Sequence, residues 1–515
     1  MKKLHINNSA ILSLLLFTVL FSFVAWYAIT LTSHTVYRVV FGLVACIIYI
    51  NFLRFFILEF FSLSNSRLSE LMVYILMYLI TISVLVLPLL VEPVLVFESS
   101  LLRNIIIGFA MVMLSKYFIF MILGPWHDII MRIRHRLYFD DVVYQPLVSV
   151  MIPAWNESVG IINTIQSVLK SSYRNIEVVV INDGSTDDSD TQICDFIATH
   201  EVGPDSEIPI KYRYQRNSGK GGALNHALQV ASGDILVSID ADCYVDNRAI
   251  ENFVRVFKDP KVSAAVGNVK IANHGNTVGI VQYLEFLFSF YFKRADALLG
   301  SIYIIGGAAG AFRRSVFDTI GGYSETNITE DIELTVRIQD AGLKIEYASD
   351  ATVYTEGASD LRSLKDQRLR WKRGRFQTFY QHMHMFFSRD KRHNKMLTWV
   401  IMPLAMLQEV QLLLELPFLI FLYVFSIMNS DYTSYLIGVV VVGLMFVIQL
   451  TFYDKSTRRI GFIALAPIGW LLFYVASYVE AWALVKAIQS FFSKRTVEWQ
   501  KWDRKGIGTS FGGRV

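Results

Sequence analysis

Asp240-Ala-Asp242 closes the apolar run 235–239. Carboxylates at i and i+2, with the residue between them turned away, make a hard-oxygen site suited to Mg²⁺ or Mn²⁺. Such an ion keeps open positions for substrate phosphates and neutralises the charge that develops as a diphosphate leaves. Paired aspartates are common on surfaces. Two that end an apolar strand need compensation, because an unpaired buried charge costs several kcal/mol. That need favours a metal held by Asp240 and Asp242.

Other polar groups accompany this pair. Pro153-Ala-Trp-Asn-Glu157 and Asn182-Asp-Gly-Ser185 each follow a β-branched run. Asp183 can accept a hydrogen bond from a nucleobase, or simply form an Asx turn. The glycine-rich stretch 217–225 opens a helix and can bring backbone N–H groups and Lys220 to a phosphate, although it lacks the GxxxxGK[ST] spacing. A surface turn is the plainer alternative. The small-residue stretch 306–314 marks a place where backbone closely approaches something. Thr329-Glu-Asp331 opens another helix, and helix capping alone accounts for Glu330 and Asp331. In Gln367-Arg-Leu-Arg-Trp371, Arg370 can grip a diphosphate bidentately and Trp371 can stack on a sugar ring. With Lys372, Arg373 and Arg375 following, a solvated basic face explains the same residues.

The elements that must position these groups follow from periodicity. Runs 148–152, 176–181 and 235–239 read as buried strands, and 160–171 reads as a helix. Strands alternating with helices predict a mostly parallel sheet with right-handed crossovers. Ligands bind at the carboxyl ends of such strands, and the polar groups fall at those ends.

The flanks are of another kind. The 515 residues are 53% apolar with a mean hydropathy of +0.41, and the excess lies in residues 1–125 and about 397–491. Four membrane helices are expected at roughly 10–31, 37–61, 71–91 and 103–123. Arg132, Arg134 and Arg136 make 126–144 an amphipathic interfacial linker, and residues 145–395 form the α/β domain. Further spans are expected across 396–492, ahead of a basic tail at 493–515. For 460–492 the choice is one long tilted span or a hairpin, and the basic tail favours the hairpin. Glu409 and Glu415 lie in an apolar run, where carboxylates either line a polar path or bond to neighbouring helices. Three scattered cysteines suit a reducing compartment. The net charge of +4 gives no case for nucleic acid.

In order and spacing, PAWNE, NDGS, the Lys220 loop, DAD, TED and QRLRW resemble the motifs of the processive family-2 glycosyltransferases. That group includes cellulose, hyaluronan, chitin and poly-N-acetylglucosamine synthases, and the resemblance covers about residues 145–380. It implies a GT-A-type, Rossmann-like cytoplasmic domain inserted between transmembrane bundles of a multi-pass, bacterial-type inner membrane protein. It also implies roles. Pro153, Glu157, Asp183, Lys220 and Asp240 would bind a UDP-sugar donor, with Asp183 at the uracil and Lys220 near the phosphates. Asp240 and Asp242 would hold Mg²⁺ or Mn²⁺. Asp331, beside Glu330, would be the general base. Gln367, Arg368, Arg370 and Trp371 would wall the acceptor end beside the diphosphate. The implied partners are the UDP-sugar (UDP-N-acetylglucosamine or UDP-glucose), a growing β-linked polysaccharide or a lipid acceptor, membrane lipids and accessory export proteins. Trp499, Trp502, Arg504 and Gly506 are weakly similar to the gating segment of hyaluronan synthases.

Overall fold

The computed structural model describes residues 8–31, 35–56, 101–139, 142–200, 207–429 and 466–493, with 443, 448–450 and 506. The chain divides into two units, residues 1–140 with 417–472 and residues 141–416 with 473–515.

In the second unit, Val- and Ile-rich runs form β1 (Val148–Ala154) and β2 (Ile176–Asp183), buried at every position. β3 (Ile210–Gln215), β4 (Ile235–Ser238), β5 (Cys243–Val245), β6 (Val262–Ile271), β7 (Gly310–Arg313) and β8 (Lys344–Thr355) complete one sheet, ordered β3-β2-β1-β4-β7-β6-β8-β5. β3, β2, β1 and β4 run parallel, with helices Ile161–Leu169, Ser189–His200 and Gly219–Val230 between successive strands. β7 then lies antiparallel to both β4 and β6, β8 is parallel to β6, and β5 is antiparallel to β8. The sheet is therefore the mostly parallel, mixed Rossmann-like type expected. Full burial on both faces is what removes the usual alternation of polar and apolar residues from β1 and β2. Register does the positioning: Val148 stands opposite both Ile176 and Ile235, so β1, β2 and β4 end at one edge.

The first unit contains helices Asn8–Leu31 and Thr35–Phe55, with Phe17 packed on Phe52 at 4.3 Å between ring centroids. Leu101–Tyr138 is one helix of 38 residues. The stretch from 126, expected as a separate linker, continues it past Pro125 to Tyr138. The proline deletes one backbone bond, but Met131, Arg132, Arg134, Arg136 and Leu137 beyond it are good helix formers and the helix continues.

Among the described residues, Leu397–Met428 is the one helix long and apolar enough to cross a membrane, at 32 residues and a mean hydropathy of 2.1. The hairpin expected in 460–492 is not found, since Ala466–Phe492 is one continuous helix. Pro467 and Gly469 fall in its first turn, where a missing N–H costs nothing. The expected span at 71–91 lies outside the described residues, as do most of residues 430–465 within the expected 396–492 spans and most of the basic tail.

Candidate active site

The loops at the carboxyl edge of β1 and β2 are stitched together before any ligand is considered. Asn156 adopts a left-handed conformation (φ 55°), which asparagine tolerates. Its Oδ1 accepts from the N–H of Thr186 at 2.6 Å, and its own N–H donates to Ser185 Oγ at 2.9 Å. The Glu157 N–H donates to Ser189 Oγ, and its side chain is buried. Pro153 sits within β1 opposite Ile181. Asp183 is buried, and its Oδ1 accepts from Gln215 Nε2 at 2.6 Å and from the Ser218 N–H at 2.9 Å. Its carboxylate thus ties down the loop leading to Lys220.

That loop is shorter than expected. Gly219 and Lys220 already belong to helix Gly219–Val230, so Lys220 projects from a first helical turn. Its Nζ lies 2.6 Å from Asp240 Oδ1 and 3.3 Å from Glu330 Oε1. Burial works against the charged ammonium, but the carboxylates of Asp240, Glu330 and Asp331 outweigh it and raise the pKa above the ordinary lysine value. Burial lifts the Glu330 carboxyl above its usual range, with Lys220 opposing and Asp331 adding to the rise. Asp331 opens helix Glu330–Asp340, its Oδ2 accepting from the Gly307 N–H at 3.0 Å and its Oδ1 from the Ile332 N–H at 2.8 Å. The stretch 306–314 thus brings its backbone against this cluster. Thr329 stands at the N-cap position, but its hydroxyl bonds to Asn327 and does not cap.

Asp242 is buried beside Cys243, whose thiol is pushed well up by burial and then by Asp242 and Asp240. Thr164 Oγ1 donates to the carbonyls of Ala241 and Cys243 at 2.8 and 2.7 Å, which fixes the backbone between these acids. Lys220 stands against three carboxylates, Asp240, Glu330 and Asp331, and Asp242 lies two residues from Asp240. This surplus of hard oxygen donors, with Asp240 about a third exposed, suits a divalent cation.

The QRLRW segment lies on helix Leu361–Gln381. Arg368, expected to face the diphosphate, is buried elsewhere. It pairs with Glu285 at 2.7 Å and Glu480 at 3.1 Å, and its guanidinium stacks 4.3 Å from the Trp371 ring centroid. It therefore holds the indole in place. The basic residues that follow do not form a solvated face. Lys372 reaches Glu409 at 2.7 Å and Glu480 at 2.9 Å, and Arg375 reaches Glu409 at 3.1 Å. Glu409 is thus ion-paired, and Glu415 accepts from Ser477 Oγ at 2.9 Å, so both carboxylates bond to neighbouring helices. Three cations thus face three carboxylates, of which Glu409 is buried, and removing one member of the buried Lys372–Glu409 pair would cost about 3–5 kcal/mol. Gln367 is buried, while Arg370 and Trp371 are half-buried.

Sequence reasoning missed Glu285, which sits in an aromatic-rich helical run. Glu480, a carboxylate inside an apolar run, carried a readable signal. Of the gating-like segment only Gly506 is described, and its N–H donates to Glu356 Oε2 at 3.0 Å.

Residues 149–321 match the family "Glycosyl transferase family 2". Poly-beta-1,6-N-acetyl-D-glucosamine synthase of Staphylococcus aureus (strain COL) is 31% identical over 229 residues, 44% of this chain and 54% of that protein. The same-named enzyme of Staphylococcus epidermidis is 31% identical over 230 residues, again 44% of this chain and 54% of its own length. The chain thus spans about half the length of the curated relatives it matches. A solved mannosyltransferase from Pyrobaculum calidifontis, in complex with GDP-Man and Mn²⁺, is 18% identical and superimposes with a TM-score of 0.48 over 74% of this chain and 99% of its own. The matched segment is a family-2 glycosyltransferase domain, similar to the corresponding part of poly-β-1,6-N-acetylglucosamine synthases.

Proposed function

We propose that the protein is a multi-pass inner-membrane, inverting glycosyltransferase that polymerises a sugar from UDP-N-acetylglucosamine or UDP-glucose into a β-linked polysaccharide and passes it across the membrane. The observation that carries this reading is the cluster at the sheet's carboxyl edge, where Lys220 stands against Asp240, Glu330 and Asp331. The homology to polymer synthases favours N-acetylglucosamine.

Asp240 and Asp242 would hold Mg²⁺ or Mn²⁺, which would supply charge neutralisation for a departing diphosphate. Lys220, 2.6 Å from Asp240 Oδ1, adds a cation to the same cluster. Asp331 removes the proton from the acceptor hydroxyl, and its bond to the Gly307 N–H fixes the carboxylate's orientation. Inversion needs one base and one leaving group on opposite faces of the anomeric carbon, and no covalent intermediate. Trp371, braced by Arg368, offers the acceptor sugar a flat apolar face, with Gln367 and Arg370 on the same helix. Membrane helices within 1–125 and 396–492 flank the domain and provide the export path.

Membrane vesicles incubated with individual labelled UDP-sugars test the proposal. The expected product is a polymer of high mass, degraded by one linkage-specific hydrolase and protected from it in sealed inside-out vesicles. A product carrying a single sugar on an extractable lipid would overturn the polymerase reading, and polymer fully digestible in intact vesicles would overturn export.

A further inference from the structure

Helices Glu330–Asp340 and Leu361–Gln381 end beside a group of imidazoles that glycosyl transfer does not use. Asp340 is the last residue of the first helix, and His382 is the C-cap of the second. Donor atoms of Asp340, His382 and His384 all lie within 4.8 Å of one another. Asp340 Oδ1 is also 3.1 Å from His384 Nε2 and 2.9 Å from His393 Nε2. Ligands bound tetrahedrally to Zn²⁺ at about 2.0–2.1 Å stand about 3.3 Å apart; the two Asp340 contacts already match that spacing, and the imidazole nitrogens would close on one another by rotation of the exposed His384 ring.

The ring nitrogens are already sorted into two kinds. His393 Nδ1 is bonded to Ser388 Oγ at 2.7 Å, and His382 Nε2 faces Glu333 Oε1 at 3.4 Å. The opposite nitrogens, His382 Nδ1 and His393 Nε2, are buried and make no hydrogen bond among the described residues. His393 Nε2 stands 2.9 Å from Asp340 Oδ1, at ion-pair distance, so His382 Nδ1 is the nitrogen with no polar contact. A buried unpaired nitrogen costs about 1–3 kcal/mol, and a cation facing its lone pair removes that cost. One imidazole nitrogen on an orienting oxygen and the other on a metal is the usual state of a metal-bound histidine. Glu333 and Ser388 are placed as those orienting partners. His384 is 55% exposed and Asp340 30%, which leaves the group open to a cation from solution.

We propose that Asp340, His382, His384 and His393 form a four-coordinate Zn²⁺ site, separate from Asp240 and Asp242. Three imidazoles and one carboxylate suit Zn²⁺ far better than Mg²⁺. Bound there, the ion clamps together the far ends of the helices that carry Asp331 and residues 367–371.

Full-length protein in detergent, stripped with a chelator and titrated with Co²⁺, tests the site, because four-coordinate Co²⁺ absorbs strongly in the visible. One Co²⁺ per chain with that spectrum is expected, displaced by Zn²⁺, together with a thermal midpoint that Zn²⁺ raises. His384→Ala, at an exposed position, and the near-isosteric Asp340→Asn should each weaken Co²⁺ binding by roughly tenfold or more and cancel the Zn²⁺ stabilisation. Asp242→Ala should retain both effects. The proposal fails if the wild type gives no four-coordinate spectrum or if both variants bind Co²⁺ as the wild type does. It fails equally if Asp242→Ala abolishes the spectrum.

Discussion

Gly307 offers the sharpest probe of the proposed chemistry. A Cβ built there would lie 2.4 Å from Lys220 Nζ and 3.6 Å from Asp240 Oδ1. Ordinary contact begins at 3.4 Å, so in Gly307→Ala the ammonium must retreat by about 1 Å. With Nζ to Oδ1 at 2.6 Å, the three distances set the direction of retreat nearly at a right angle to the ion pair. The pair therefore lengthens only to about 2.8 Å, and Lys220 slides sideways past Asp240 without breaking from it. Stability should change little, since the intruding methyl meets the end of a flexible side chain. Catalysis should suffer, because a misplacement of about 1 Å can cost roughly 100-fold. Gly306→Ala is the control, since its Cβ would meet nothing within 4 Å. Turnover of labelled UDP-sugar and thermal unfolding, measured on both variants, decide the matter. We expect both midpoints close to wild type, with kcat/KM reduced about 100-fold in Gly307→Ala only. Gly307→Ala retaining more than half of wild-type kcat/KM, or Gly306→Ala proving equally damaging, would refute the placement of Lys220.

Asp331→Asn should fold and bind UDP yet lose about 10²–10⁴-fold in turnover, and residual activity above about a tenth would remove it as the base. Gly374→Ala would place a Cβ 2.1 Å from Thr329 Oγ1, a buried side chain already bonded to Asn327 that cannot retreat. Overpacking there should destabilise by about 3 kcal/mol and lower kcat by parting the helices that carry Asp331 and Trp371, whereas an unchanged thermal midpoint would contradict that packing. Burial lifts the Glu285 carboxyl from 4.5 to about 7, with Arg368 lowering it and Glu480 raising it. Its folded pKa exceeds the unfolded one, so its stabilisation is complete below about pH 4.5 and falls by about 3 kcal/mol as pH rises toward 7. Glu285→Gln should flatten this dependence between pH 5 and 7.5, and parallel wild-type and variant profiles would disprove it.

β1, β2 and β4 were legible because burial on both faces forces unbroken Val/Ile runs, and a polar group at the end of such a run has few places to be other than the ligand edge; the parallel edge strand β3, Ile-Lys-Tyr-Arg-Tyr-Gln and partly exposed, offered no such run. The antiparallel return of β7 was not legible, since its four residues Gly310–Arg313 carry no strand pattern of their own. The glycine-rich turn before Asn225 misled for a physical reason. Glycine disfavours helix by about 1 kcal/mol per residue, so a loop was the better local answer. A Cβ at Gly221, however, would stand 2.4 Å from the Ser324 carbonyl oxygen, and tertiary packing therefore selects glycine inside the helix. The basic run after Trp371 misled in the opposite sense. Cations at helical spacing look solvated unless their partners are known, and here Glu285, Glu409 and Glu480 come from three other helices as far as 112 residues away. Each of those carboxylates looks anomalous alone, Glu409 and Glu480 most clearly because their neighbours are apolar. A lone carboxylate in such a run must be neutralised, so its presence implies a buried cation elsewhere in the chain. The cations it implies are the buried Arg368 and Lys372 and the half-buried Arg375, all on the helix of Trp371. The six charges that most resemble surface decoration or a transport path are thus the ones that hold the proposed acceptor platform in place.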